Sequence, residues 1–168
     1  MQLRRPLVAF VVAVTLFAVA GVSHAQDAAM VPASKGDNLY PPNADAHADV
    51  QRALDKAARK HKNVLIIFGA NWCYDCHVLE RQLQSPQVAP TLASNYELVK
   101  VDVGRGRKNR DLLDQYEVSI QHGIPAVAVL DSEGKILFSQ KHSEFSNARS
   151  MTPDDILEFL NKWKHAAR

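Results

Sequence analysis

Hydrophobic and polar positions along the chain alternate between a strand-like period and a helix-like period. Strand-length apolar or alternating patterns occupy 63–68, 97–103, 126–130 and 135–139. Helical spacing, with the apolar residues on one face, occupies 45–61, 73–84, 111–116 and 154–164. The order helix, strand, helix, strand, helix, strand, strand, helix predicts an α/β domain. We expect a mixed central sheet with helices on both faces.

The first 25 residues have the pattern of a secretory signal peptide. Arg4 and Arg5 form a basic start, an almost wholly apolar run covers 6–22, and small residues flank His24 at positions 23 and 25. This arrangement predicts cleavage after Ala25 and export, to the periplasm or another compartment outside the cytoplasm. The alternative is an uncleaved membrane anchor, for which the run is close to the minimum length.

Signal cleavage would change the charge of the chain. The full sequence of 168 residues has a formal net charge of +2, and the signal carries two arginines and no acidic residue. A neutral mature protein argues against nucleic acid or a membrane surface as its main partner. Residues 26–44 hold few large apolar side chains and a Pro41-Pro42 pair, so we expect a flexible arm there, ahead of a domain at 45–168.

The only two cysteines of the chain, Cys73 and Cys76, lie where the first predicted strand gives way to a helix. Unpaired N–H groups and the dipole at a helix N-terminus favour thiolate over thiol at Cys73. Cys76 follows one turn later on the same face, from which it can attack a mixed disulfide formed at Cys73. We therefore expect Cys73 to attack and Cys76 to resolve, with Trp72 shielding the pair.

Two segments resemble the thioredoxin superfamily: Phe68-Gly69-Ala70-Asn71-Trp72-Cys73-Tyr74-Asp75-Cys76 after a strand, and Gly123-Ile124-Pro125 before the next central strand. The resemblance extends over roughly 45–164. It implies a thioredoxin-like fold and a thiol–disulfide oxidoreductase that requires no metal or organic cofactor. The implied partners are a disulfide-containing protein substrate and a thiol protein that donates electrons. We expect the chain itself to be a monomer.

The same resemblance implies a substrate-binding surface. Pro125 would follow a cis peptide bond and pack beside the thiols, a rare bond that shapes a binding groove. The backbone of Ile124 would pair with a substrate peptide, and the ring of Trp72 would complete the surface.

The chain departs from the thioredoxin pattern near the thiols. Many thioredoxins carry a buried acid six residues before the first cysteine, where this chain has Ile67. The segment 72–88 is similar to the C-terminal thioredoxin-like domain of the bacterial transmembrane disulfide reductase, which makes Glu80 a plausible acid for tuning the thiols. The alternative for Glu80 is an exposed helix glutamate.

Residues between and after the cysteines bear on the direction of electron flow. The negative charge of Asp75 should disfavour a thiolate at Cys73, which makes the disulfide harder to reduce and favours a reductase. A protonated His77 would offset that effect. The sequence therefore predicts a reductase acting on exported proteins.

Three other interpretations of the cysteine motif remain open. Cys73 to His77 also matches the attachment pattern of a c-type haem electron carrier, in which His77 would ligate iron. A zinc site has less support because the remaining histidines are scattered along the sequence. A non-catalytic thioredoxin-like binding module is the third alternative.

Overall fold

The computed structural model describes residues 38–164. The predicted signal peptide and residues 26–37 of the predicted arm lie outside this range, as do 165–168. In the part described, no helix is both long enough and apolar enough to cross a membrane.

Five α-helices and four β-strands follow one another along the described chain. In order they are α1 (Ala46–Lys60), β1 (Asn63–Gly69), α2 (Tyr74–Leu83), α3 (Ala89–Asn95), β2 (Tyr96–Asp102), α4 (Arg110–Gln115), β3 (Ala126–Leu130), β4 (Ile136–Ser139) and α5 (Pro153–Trp163). A single 3-10 turn, Ala148–Ser150, precedes α5. Side chains cap the starts of α1 and α5: the Asp45 side chain accepts from the N–H of Ala48, and Thr152 forms a capping box with Asp155.

The four strands form one mixed sheet in the order β2-β1-β3-β4. Strand β1 pairs with β2 in parallel and with β3 in antiparallel orientation, and β3 pairs with β4 in antiparallel orientation. Every residue of β1 is buried, as expected for a central strand covered on both faces.

Side chains of β1 alternate between two hydrophobic cores. Val64, Ile66 and Phe68 join the core beneath α1 and α4, whereas Leu65 and Ile67 join the core formed with α2 and α5. Two-fold alternation along a strand thus produces helical layers on both faces. The structure confirms the α/β, thioredoxin-like fold that the sequence predicts.

The end of the predicted arm differs from the expectation of a flexible segment. Tyr40 is buried, with 2% of its surface exposed, and it packs against both cysteines. The Asn71 side chain fixes its backbone: the N–H of Tyr40 donates to Asn71 Oδ1 at 2.9 Å, and Asn71 Nδ2 donates to the Tyr40 carbonyl at 2.7 Å. The arm prediction is therefore wrong for the stretch around Tyr40, because composition does not reveal a single anchoring side chain.

Candidate functional site

Cys73 and Cys76 form a disulfide at the N-terminus of α2. Cys73 is the N-cap residue, and its Sγ accepts a hydrogen bond from the N–H of Cys76 at 3.1 Å. Both residues are buried, with exposed fractions of 4% for Cys73 and 2% for Cys76. The sulfur atoms therefore sit where the helix dipole favours negative charge, in surroundings that exclude most water.

The Ile124–Pro125 loop lies directly against the disulfide. Its peptide bond is cis, as the family resemblance implies. The carbonyl oxygen of Ile124 is 3.4 Å from Cys73 Sγ, and Pro125 is buried. The fold thus brings together two motifs that are some fifty residues apart in the sequence.

Trp72 is the most exposed large apolar side chain at the site, with 58% of its surface accessible. Its Nε1–H donates to the carbonyl oxygen of Gly104 at 2.9 Å, and the guanidinium of Arg105 lies 5.5 Å from the ring centroid. The basic loop after β2 therefore holds the indole in place beside Cys73. Trp72 is an exposed platform next to the thiols rather than a cover over them.

Asp75 does not act as an unpaired negative charge near Cys73. Both of its carboxylate oxygens accept hydrogen bonds from the side chain of Arg149, and the N–H of Arg149 donates to Oδ1 at 2.9 Å. The side-chain hydrogen bonds from Arg149 lower the pKa of Asp75 despite its burial. Because the arginine compensates the carboxylate, the expected destabilisation of the Cys73 thiolate by Asp75 is not supported, and the sequence offered no signal for Arg149.

His77 is buried on the same helix, and 5% of its surface is exposed. Its Nε2–H donates to the backbone carbonyl of Asn71 at 2.8 Å. The ring therefore ties α2 to the loop before it. The same bond occupies the nitrogen that a haem iron would require, so His77 does not fit the c-type haem reading.

Glu80 lies further along α2, where its carboxylate is paired. Lys100 of β2 places Nζ 2.6 Å from Glu80 Oε1, and Gln84 Nε2 donates to the same oxygen at 2.6 Å. The side chain is mostly buried, with 13% exposed, so the alternative of an exposed helix glutamate is wrong. Burial raises the pKa of Tyr40, and the Glu80 carboxylate raises it further; Tyr40 in turn packs against both cysteines.

Tyr40 is the residue of the site that sequence reasoning missed. It forms a small cluster with Cys73 and Cys76, against which Leu39 and Ile124 pack. Gly69, at the end of β1, makes room for it: a methyl group at Gly69 would lie 2.2 Å from the Tyr40 hydroxyl oxygen and 2.9 Å from Cys76 Sγ. These two atoms are thus no more than 5.1 Å apart.

Comparison with known protein families and curated proteins is consistent with this geometry. A family model described as thioredoxin-like matches residues 45–132. The thiol:disulfide interchange protein DsbD 1 of Pseudomonas aeruginosa is 27% identical over 126 residues, which are 74% of this chain and 20% of that protein. DsbD of a Pseudomonas species is 31% identical over 117 residues, which are 69% of this chain and 18% of that protein. The chain thus spans about a fifth of the length of these curated relatives.

Solved structures are also similar to this chain, and the matches cover most of each solved chain. A disulphide isomerase from Xylella fastidiosa Temecula1 is 41% identical, with a TM-score of 0.70; the match covers 74% of this chain and 95% of that one. A thioredoxin from Thermus thermophilus is 19% identical with a TM-score of 0.50, which supports the fold alone.

Proposed function

The chain belongs to the thioredoxin-like family, and we propose that it is a thiol–disulfide oxidoreductase that works in the reducing direction on disulfides of exported proteins. The observation that carries the proposal is the buried Cys73–Cys76 disulfide at the N-terminus of α2, in contact with the Ile124 carbonyl. Its exported, periplasmic location rests on the signal-like pattern of residues 1–25.

The proposed cycle begins with the thiolate of Cys73. It attacks a substrate disulfide, forms a mixed disulfide and releases one substrate thiolate, which takes up a proton. Cys76 then attacks Cys73 Sγ, which closes the disulfide within the protein and releases the second substrate thiolate. Two electrons pass from the dithiol to the substrate, and a thiol donor protein restores the dithiol by the reverse sequence.

Arg149 compensates the charge of Asp75, so that charge does not decide the direction. The burial of the two thiols supports the reducing direction instead. Thiolates lose hydration when they are enclosed by apolar side chains such as Leu39 and Ile124, so the reduced state is disfavoured relative to the disulfide. A dithiol that readily closes to a disulfide donates its electrons readily.

The proposed substrate-binding surface consists of Trp72, Ile124 and Pro125. Trp72 offers an exposed ring directly beside the nucleophile, and Ile124 carries backbone polar groups next to it. A peptide of the substrate would lie across this surface in an extended conformation, with its disulfide over Cys73.

The test of the direction is the reduction potential of the Cys73–Cys76 couple. We expect equilibration of the purified protein with dithiothreitol or glutathione to give a value near that of thioredoxin, about −270 mV, rather than that of a strong oxidant, about −120 mV. A value at the oxidant end would refute the reducing direction. Failure to exchange with either reagent would refute the proposed function as a whole.

A further inference from the structure

The buried hydroxyl of Tyr40 has no role in the cycle described above. It reaches the thiol pair from outside the cysteine motif, since Tyr40 precedes α1 and lies 36 positions before Cys76. Its oxygen is at most 5.1 Å from Cys76 Sγ, by the two distances to the Gly69 methyl position given above. A small displacement would bring the two atoms within hydrogen-bonding distance.

The position of Tyr40 is fixed rather than incidental. Two hydrogen bonds join its backbone to the side chain of Asn71, which lies two residues before Cys73. Gly69 leaves open the volume that the hydroxyl occupies, because any side chain at that position would overlap it. The hydrogen bonds from the Asn71 side chain and the space left by Gly69 together direct the Tyr40 hydroxyl towards Cys76.

Burial, together with nearby carboxylates, keeps the Tyr40 hydroxyl protonated. Burial is the main cause of a strongly raised pKa for Tyr40, and the carboxylates of Glu80 and Asp102 raise it further. Each carboxylate has a lysine partner, Lys100 for Glu80 and Lys108 for Asp102. A tyrosine in this environment donates a proton in a hydrogen bond but does not release it.

Cys76 needs such a donor in both directions of exchange. When a reductant attacks Cys73 Sγ, the bond to Cys76 breaks and Cys76 leaves as a thiolate in a buried site. Ile67 occupies the position at which many thioredoxins place a buried acid. We propose that the Tyr40 hydroxyl donates a hydrogen bond to the Cys76 thiolate and thereby acts as a positioning and stabilising residue for the exchange, an inference that rests on the proposed function.

The test is the rate at which dithiothreitol reduces the protein disulfide in a Tyr40→Phe variant, which keeps the ring and removes only the hydroxyl. We expect a rate about tenfold lower than that of the wild type, as for the loss of one hydrogen bond to a charged group. In a Cys73→Ser background, Tyr40→Phe should also shift alkylation of Cys76 by about one pH unit to higher pH, the same tenfold change.

Tyr96→Phe is the matched control. The Tyr96 hydroxyl is also buried and donates to the Leu160 carbonyl at 2.6 Å, away from the thiols. We expect Tyr96→Phe to lose stability while its disulfide is reduced at the wild-type rate. Wild-type rates and alkylation profiles for Tyr40→Phe, even with lowered stability, would overturn the proposal and leave the oxidoreductase function intact. Absence of exchange in the wild type would instead remove the proposed function.

Discussion

Asp75 and Arg149, which are 74 positions apart, form a two-pronged ion pair that joins the first turn of α2 to the 3-10 turn before α5. The arginine also lies over the ring of Tyr74, 5.1 Å from its centroid. The helix that carries the thiols is thus fastened at the end where Cys73 reacts. The sequence predicts an electrostatic effect of Asp75 on the thiols. In the structure, Asp75 instead helps to hold α2 in place.

Asp75→Asn should lower the stability of the protein at neutral pH, because it removes a carboxylate whose charge the fold stabilises. The pKa of Asp75 is below its ordinary value of 3.8 in the folded protein. Its contribution is therefore fully present above pH 3.8 and is lost as the pH falls through the folded-state pKa. Urea unfolding of wild type and variant at pH 7 and across the acid range would measure the difference.

The control for this prediction is Asp114→Asn, since Asp114 is exposed and outside the site. We expect the two variants to differ clearly at pH 7 and to converge below the folded-state pKa of Asp75. A stability gap between wild type and Asp75→Asn that persists unchanged in acid would contradict the ion-pair explanation.

Gly69→Ala should destabilise the protein by about 1–3 kcal/mol through overpacking. The added methyl group would overlap the Tyr40 hydroxyl and press on Cys76 Sγ. Chemical unfolding of Gly69→Ala, Tyr40→Ala and the double variant would test this contact directly. Because Tyr40→Ala vacates the volume, the cost of Gly69→Ala should be smaller in that background, and strict additivity would show that the contact is not the cause.

Trp72→Ala should impair reduction of a protein disulfide more than reduction of a small disulfide. The exposed indole offers apolar contact area to a large substrate, and the loss of such an anchor lowers kcat/KM by about tenfold. The measurement is kcat/KM for both substrates. Leu98→Ala provides a control because Leu98 is the other exposed large hydrophobic of the described residues and lies on β2. Equal losses for both substrates would exclude a docking role.

Serine variants of the two cysteines should fail at different steps of the exchange reaction. Cys73→Ser should abolish reduction of a model disulfide, because Cys73 is the N-cap residue of α2 and the predicted attacking thiol. Cys76→Ser should instead accumulate a mixed disulfide at Cys73, since the resolving thiol is absent. Mass spectrometry under non-reducing conditions distinguishes the two results, and a mixed disulfide formed by Cys73→Ser would reverse the assigned roles.

Local patterns were sufficient to predict the fold. The apolar run at 63–68 predicts a strand, and β1 is observed at Asn63–Gly69. The amphipathic pattern near the C-terminus corresponds to α5. Short-range periodicity carries this information because each core is built from one face of each element. The cysteine pair and the Ile124–Pro125 loop were recognised for the same reason, as compact motifs.

The surroundings of the thiols could not be predicted in this way. Arg149 and Tyr40 belong to no motif, and their partners are 74 and 31 positions away for the contacts to Asp75 and Asn71. An isolated tyrosine in a polar segment or an arginine before a helix has many possible partners. Only the folded chain selects one, and here the selection changed the expected charge balance at Cys73.

The position of Cys73 as the N-cap residue of α2 has a kinetic consequence. In the proposed cycle, substrate and electron donor both react at the sulfur of Cys73. One atom cannot hold two mixed disulfides, so the two partners take turns and no ternary complex forms. Steady-state turnover should then follow ping-pong kinetics, in which raising the concentration of one partner shifts the apparent KM for the other and leaves kcat/KM unchanged.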